Sequence, residues 1–392
     1  MSNYKVLFSL KVLKGILATF VESFFILYFF EVSEKNILPL AVYKLIAFTT
    51  VFAVSFLTRN YCKRAGRINL MRIGIVLNFI YFLTIILLRE NIVNHVYLIG
   101  FIYGLEEGFY YSIYNTIESD AISNKERAKF TGHFEALRAI LSVAFPLVFG
   151  YVIYSSGFTN SLLVVLGICA IEILLSLCIK DENIPEGKRT NLKEFKDIIK
   201  KTPELKQIYR NRMISGLTYS KGAFSYIVTI YIIQVFSNSV SLGIFTSIFS
   251  LISCMIGLMF AKCIKTKHYK GTIKVSMAFT IASLCLMIYK CNFITIVIYN
   301  LCQTFSKGLL DLINNNSAAN ISNLETIRKE YKVEYWLGIE GCLFIGRTIS
   351  NILLILIVYI GSNIMMYIFV IFLAMLAASS VKLQDTINYS KV

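Results

Sequence analysis

Charged side chains are scarce: Asp, Glu, Lys and Arg make up 16% of the 392 residues, and 56% are hydrophobic. Soluble domains carry about a quarter charged residues. With a mean hydropathy of +0.66, the composition excludes an ordinary soluble protein and points to an integral membrane one. Other absences narrow the chemistry. Histidine occurs three times (His95, His133 and His268), always near a loop, and no metal-ligand or nucleophile–base constellation surrounds it. Nine cysteines occur, none in a CxxC or Cys/His spacing, so they read as thiols without a disulfide or a metal site. No G-x-x-x-x-G-K-[ST] loop is present, which argues against a nucleotide-driven pump. There are four prolines and one tryptophan, Trp336, against 30 Phe and 24 Tyr. No extended polar low-complexity stretch leaves room for a large soluble domain. An enzyme, a cofactor and a metal are therefore not expected.

What fills the chain is a series of apolar runs of the length that a hydrocarbon core about 30 Å thick requires of a helix. Twelve are read, at 6–30, 37–57, 69–88, 94–117, 134–155, 160–179, 209–235, 240–261, 273–289, 293–313, 335–360 and 363–381. The first has a basic start and is expected to be a retained transmembrane helix. Short segments of alternating hydrophobicity, the mark of a membrane barrel, are absent. The net charge of +16 sits mainly between the runs and reads as a positive-inside bias, not as a nucleic-acid surface. The loop after span 2 carries Arg59, Lys63, Arg64, Arg67 and Arg72; the loop after span 8 carries Lys262, Lys265, Lys267, Lys270 and Lys274. The loops after spans 5 and 11 have no basic residue. Both termini are therefore expected on the cytoplasmic side of the cell membrane.

The basic central segment divides the chain into 1–180, 181–208 and 209–392, two six-span halves and a cytoplasmic loop. Leu192, Phe195, Ile198 and Ile199 recur there at helical spacing among charges, predicting an amphipathic helix on the inner membrane surface. Self-comparison supports a duplication. At an offset of 200, Gly108 matches Gly308 and Asn115 matches Asn315; one residue out of step, Arg127 matches Arg328 and Phe134 matches Tyr335. Parallel repeats related by an axis along the membrane normal are one recognised transporter architecture.

Twelve spans, a 6+6 division and a basic central loop make the whole chain resemble a major facilitator superfamily transporter. The family's loop after span 2 usually reads G-x-x-x-D-R-x-G-R-R. Here Arg64, Gly66 and Arg67 fit, and Arg59, Lys63 and Ile68 replace the first Gly, the Asp and the last Arg. Of the span 5 antiporter signature, Pro146 and Gly150 are present. The resemblance implies an all-α fold of two pseudo-symmetric six-helix bundles, a monomer, and a gating role for Arg64, Gly66 and Arg67. It also implies that spans 1, 4, 7 and 10 line a central cavity.

Ionisable residues inside spans are rare and usually face a bundle interior or a water-filled cavity. On the cavity spans they are Glu22, Glu106, Glu107, Lys221, Lys307 and Asp311. The repeat sets Lys307 where the first half has Glu107, so acid–base pairs between the halves are expected. Lys307 and Asp311, four apart, can also neutralise each other. Glu172, at the end of span 6, is expected to snorkel outward. Gly100, Gly104 and Gly108 form a small-residue face suited to close helix contact. Tyr103, Glu107 and Tyr111, each four apart, form a wall suited to an amphipathic or cationic solute. The function expected is secondary active transport of a small organic solute by alternating access with protons as coupling ion. Export of drugs or metabolites comes first and uptake of a sugar, amino acid or similar metabolite second; a transport-inactive sensor is the remaining reading.

Overall fold

The computed structural model describes residues 3–63, 66–121, 124–179, 191–236, 238–263, 269–322, 327 and 331–383. Its helices are α1 (Asn3–Phe20), α2 (Ile26–Val32), α3 (Leu38–Thr58), α4 (Arg67–Leu88), α5 (Val96–Ala121), α6 (Asn124–Leu177), α7 (Leu192–Lys201), α8 (Pro203–Leu217), α9 (Ala223–Val235), α10 (Ser239–Cys263), α11 (Tyr269–Tyr289), α12 (Phe293–Ser322), α13 (Lys332–Ile360) and α14 (Asn363–Leu383). Each of the twelve apolar runs is helical over most of its length, and the described residues contain no strand. Among the described residues, eight helical stretches are long and apolar enough to cross a membrane. Helix satisfies every backbone polar group within the segment, which is why apolar runs of this length adopt it in lipid.

Three interruptions matter. Between α1 and α2, Val21–Phe25 forms a single π-turn that carries Glu22. Gly157, at φ +83°, breaks α6 into the two helices that the sequence places at spans 5 and 6. The run 209–235 is also broken: α8 ends at Leu217 and α9 starts at Ala223, with Lys221 between them at φ +63°. Hydropathy alone predicts a continuous span there, and assigns the first turns of α8 to the central loop.

The chain forms two compact units, one of residues 1–189 with 236–248, the other of 190–235 with 249–392. In the first, α5 is gripped between α3 and α4. A Cβ at Gly100 would lie 2.9 Å from the Tyr43 carbonyl oxygen, one at Gly104 2.5 Å from Thr50 Cβ, and one at Gly108 2.7 Å from Val54 Cβ. All three positions therefore demand glycine, and the face read from the sequence is the α3 contact. In the same unit Phe20, Phe24, Phe82 and Phe149 cluster, with Phe20 edge to face on Phe82 and on Phe149, the latter at a centroid distance of 4.9 Å. The start of α10 also lies in this unit, where Ser239 Oγ donates to the Gly150 carbonyl at 3.1 Å and Ser247 Oγ to that of Val143 at 2.6 Å.

In the second unit, α8 and α13 approach at Gly216, where a Cβ would lie 2.5 Å from the Leu343 carbonyl oxygen. The amphipathic helix is α7, with Asn191 as its cap accepting from the Glu194 amide at 3.3 Å. Its buried Phe195 joins Leu205, Ile208, Tyr209, Tyr335 and Ile339 in one cluster. Phe195, Ile198 and Ile199 of its apolar face thus pack on protein, and Leu192 is exposed. Tyr331 OH donates to Glu194 Oε2 at 3.1 Å, and Glu334 accepts from the Asn191 amide at 3.1 Å.

The glycine contacts generate a stability prediction. Gly104→Leu forces α5 off α3 and lowers stability by about 1–3 kcal/mol, the usual range for overpacking. It should show as a lower thermal-unfolding midpoint of the purified protein in detergent. Gly167→Ala, where a Cβ meets open space, leaves the midpoint unchanged.

Candidate functional site

A buried charge survives in a membrane protein when it is paired and hydrogen-bonded. The first unit meets that condition with a cluster on α1, α4, α5 and α6. Lys14 of α1 is buried, and its ammonium contacts Glu106 Oε1 of α5, a residue with no exposed surface. Glu107 Oε1 lies 4.0 Å from the same nitrogen. The Tyr103 phenol, one turn earlier on α5, lies within electrostatic reach of Glu107. The Lys14 ammonium sits 5.2 Å from the centroid of the Tyr110 ring, which stacks on Tyr114. One turn nearer the N-terminus, Lys11 Nζ reaches both oxygens of Glu118, at 2.8 and 2.7 Å. Tyr114 OH donates to the Leu7 carbonyl at 2.9 Å and ties the same two helices.

Around this core stand further polar groups. Lys44 of α3 is buried with its ammonium 5.5 and 5.9 Å from the ring centroids of Tyr43 and Tyr103. The hydroxyls of Tyr43 and Tyr81 are hydrogen-bonded at 2.9 Å. Glu172 of α6 is fully buried; its Oε2 accepts from Asn78 Nδ2 of α4 at 3.1 Å. The expectation that Glu172 snorkels outward is therefore corrected: the side chain turns inward, where Asn78 supplies a donor.

The other predicted site residues are distributed as follows. Glu22 is exposed on the π-turn, within electrostatic reach of the Tyr103 phenol; π-turns inside helices frequently mark functional positions. Tyr111 is half-buried, its ring edge-on to Tyr110. Gly66 caps α4 at φ +81°, and buried Arg67 donates from Nη1 to the Cys62 carbonyl at 3.3 Å. Arg64 lies outside the described residues. In the second unit Lys221 is half-buried in the break between α8 and α9. Arg347 of α13 reaches that break, its Nε donating to the Ser220 carbonyl at 2.9 Å. The Ala223 amide donates to Ser350 Oγ at 3.2 Å and Tyr226 OH to Asn351 Oδ1 at 2.5 Å. Lys307 is exposed on α12. Asp311 belongs to α12, but its side chain, and with it the Lys307–Asp311 pair, lies outside the described residues.

Sequence reasoning missed Lys14 and Lys44. Lys14 looked like part of a basic leading segment, although it falls inside the first apolar run and lies three residues from Lys11 on one helix face. That spacing was the available signal. Within the first unit, Lys14 is a cationic neighbour of both span 4 glutamates.

Removing one partner of a buried ion pair typically costs about 3–5 kcal/mol. Lys14→Met should destabilise the protein by that order in denaturant or thermal unfolding. The double variant Lys14→Met/Glu106→Gln should regain part of the loss, because the charge of Glu106 is gone while Glu107 still lacks the Lys14 ammonium.

The Major Facilitator Superfamily profile matches residues 6–322. The chain is 22% identical over 341 residues to the uncharacterized protein YqgE of Bacillus subtilis (strain 168), covering 86% of this chain and 78% of that one. It is 25% identical over 144 residues to an uncharacterized protein in the sodM 3′ region of Geobacillus stearothermophilus, covering 35% of this chain and 67% of that one. Among solved structures, a point mutant of the nucleoside transporter NupG is similar over 97% of this chain and 100% of its own, with a TM-score of 0.67 at 16% identity. The profile covers most of the length of the chain, which belongs to the Major Facilitator Superfamily.

Proposed function

We propose that this protein is a proton-coupled secondary transporter of a small organic metabolite, working by alternating access between six-span halves at 1–180 and 209–392. The segment 181–208 joins them on the cytoplasmic side, with both termini on that side of the cell membrane. Membership of the superfamily supports transport as such. The observation that carries the coupling is the buried Lys14–Glu106–Glu107 cluster, because a carboxylate pair sharing one ammonium can exchange a proton at modest cost in a low-dielectric site. Lys307, Asp311 and Lys221 are assigned to the cavity wall of the second half, and Arg64, Gly66 and Arg67 to the gate.

A polar metabolite is favoured over a hydrophobic drug by the tyrosines of α5. Tyr103, Tyr110 and Tyr114 are buried, and their hydroxyls and rings serve Glu107, Leu7 and one another. The wall read from the sequence as an aromatic cage is thus largely occupied by internal contacts. The solved NupG structure, a nucleoside transporter of similar fold, places nucleosides first among metabolites to try. Export of an organic cation is the second reading, and the exposed carboxylate of Glu22 beside Tyr103 favours it.

The test is transport in proteoliposomes under an imposed pH gradient, with labelled nucleosides, sugars, amino acids and a cationic dye. One class should move with the gradient, with quench of an internal pH dye in step. Glu107→Gln should lower gradient-driven movement at least tenfold. Normal transport by folded Glu107→Gln and Lys307→Met variants would remove both residues from the pathway, and movement of the dye alone would favour the second reading.

A further inference from the structure

The carboxyl of Glu172 has no place in the mechanism above, yet it lies as deep as the pair on α5. We infer that Glu172 is a proton-binding site, occupied in the conformation seen, and that its proton decides whether Lys14 serves α5 alone or is shared with α6. The inference deepens the proton-coupled reading and, for its link to transport, rests on it.

Three observations carry it. The first is the partner set. Glu172 Oε2 takes one neutral hydrogen bond, from Asn78 Nδ2, and Oε1 is buried with no hydrogen-bond partner. A buried carboxylate usually has its remaining lone pairs satisfied, and an isolated charge in low dielectric neutralises instead. A hydrogen on Oε1 removes the charge and leaves Oε2 free to accept from Asn78. The second is a charge count. Among the described residues of this region, three buried carboxyls (Glu106, Glu107 and Glu172) face two buried ammoniums, Lys14 and Lys44. Lys11 and Glu118 form a pair of their own. One carboxyl is left over. Lys14 contacts Glu106 and lies 4.0 Å from Glu107, so of the three Glu172 is the one without a cationic contact.

The third observation is what surrounds it. From α1, Lys14 faces Glu172 at electrostatic range; from α4, Asn78 bonds it. From α5, Tyr110 interacts with it electrostatically, and on α6 itself Cys169 does so. Arg72 of α4 reaches the same end of α6, but its donors go to the carbonyls of Ser176 and Ile179, at 3.2 and 3.1 Å. Lys14 is therefore the cation that an ionised Glu172 would draw. When water takes the proton from Oε1, the Lys14 ammonium is divided between Glu106 on α5 and Glu172 on α6. When the proton returns, Lys14 belongs to α5. Proton occupancy at one buried carboxyl thus changes which helix α1 is tied to, which is the kind of local two-state element that coupling requires.

Infrared spectroscopy of the purified full-length protein in lipid nanodiscs, titrated from acid to alkaline pH, reads the site with the proton itself as probe. The wild type should show the C=O stretch of a protonated carboxylic acid that fades as pH rises, and Glu172→Gln should lack it. Asn78→Ala, which removes a donor that favours the ionised form, should keep the band and move its loss to higher pH. Absence of a titrating band in the wild type, or an unchanged band in Glu172→Gln, overturns the assignment. In proteoliposomes with the nucleoside, sugar, amino acid and dye panel, Glu172→Gln should keep downhill movement of the transported compound and lose its dependence on the pH gradient. The infrared reading needs no transported compound. A titrating Glu172 band in a protein that moves none of the panel counts against the transport reading alone, whereas gradient-driven transport without the band counts against Glu172 alone.

Discussion

The ammonium of Lys14, held against Glu106 and Glu107, is the contact on which the rest of the first unit depends. A carboxylate in a hydrocarbon-depth helix is tolerable when a cation and a hydrogen bond reach it, and two adjacent carboxylates on α5 have to be met from the same side. That requirement draws α1 against α5. It then dictates the opposite surface of α5, because residues 104 and 106 lie about 200° apart on a helix of 3.6 residues per turn. With Glu106 turned to α1, Gly100, Gly104 and Gly108 turn to α3, and the absence of side chains there lets the two backbones approach closely. The tyrosines complete the arrangement: Tyr103 lies within electrostatic reach of Glu107, and Tyr110 presents its ring to the Lys14 ammonium.

The second unit handles polarity by a different device. It interrupts one helix. The break at 218–222 frees backbone groups that lipid cannot satisfy, and α13 supplies the partners through Arg347 and Ser350, with Asn351 holding Tyr226 just beyond. Lys221, in a left-handed conformation that non-glycine residues adopt with difficulty, sits at the apex of this break. Discontinuous helices of this kind occur where transporters build their binding sites, which fits the assignment of Lys221 to the cavity side.

Much of the architecture was legible in the amino-acid sequence. Runs of apolar residues of membrane-crossing length can form little other than helix, so α3, α4, α5, α11 and α12 fall close to where hydropathy places them. The glycine face of α5 was visible because its spacing of four is a helical repeat. The helix at α7 was visible because Leu192, Phe195 and Ile199 mark one face of an otherwise charged segment. The break in the span 7 run was not visible: its local sequence, TYSKGAF, has no proline, and a glycine inside a helix is tolerated. Only the donors and acceptors brought by α13 make the interruption tolerable in lipid.

For the site, the sequence by itself determined which residues had to be explained: glutamates and lysines inside apolar runs cannot be indifferent to their surroundings. It did not determine their partners. The duplication suggested Lys307 for Glu107, and proximity to the end of span 6 suggested that Glu172 would turn to the surface. Within the first unit the tertiary structure brought Lys14 to Glu106 and Glu107, and it turned Glu172 inward to Asn78. The physical reason is that hydropathy and periodicity are properties of one helix at a time, whereas the stability of a buried charge depends on the single nearest group of opposite sign or matching hydrogen bond. Which group that is follows from how neighbouring helices rotate about their own axes as their close-packed faces meet, and that rotation is settled in packing.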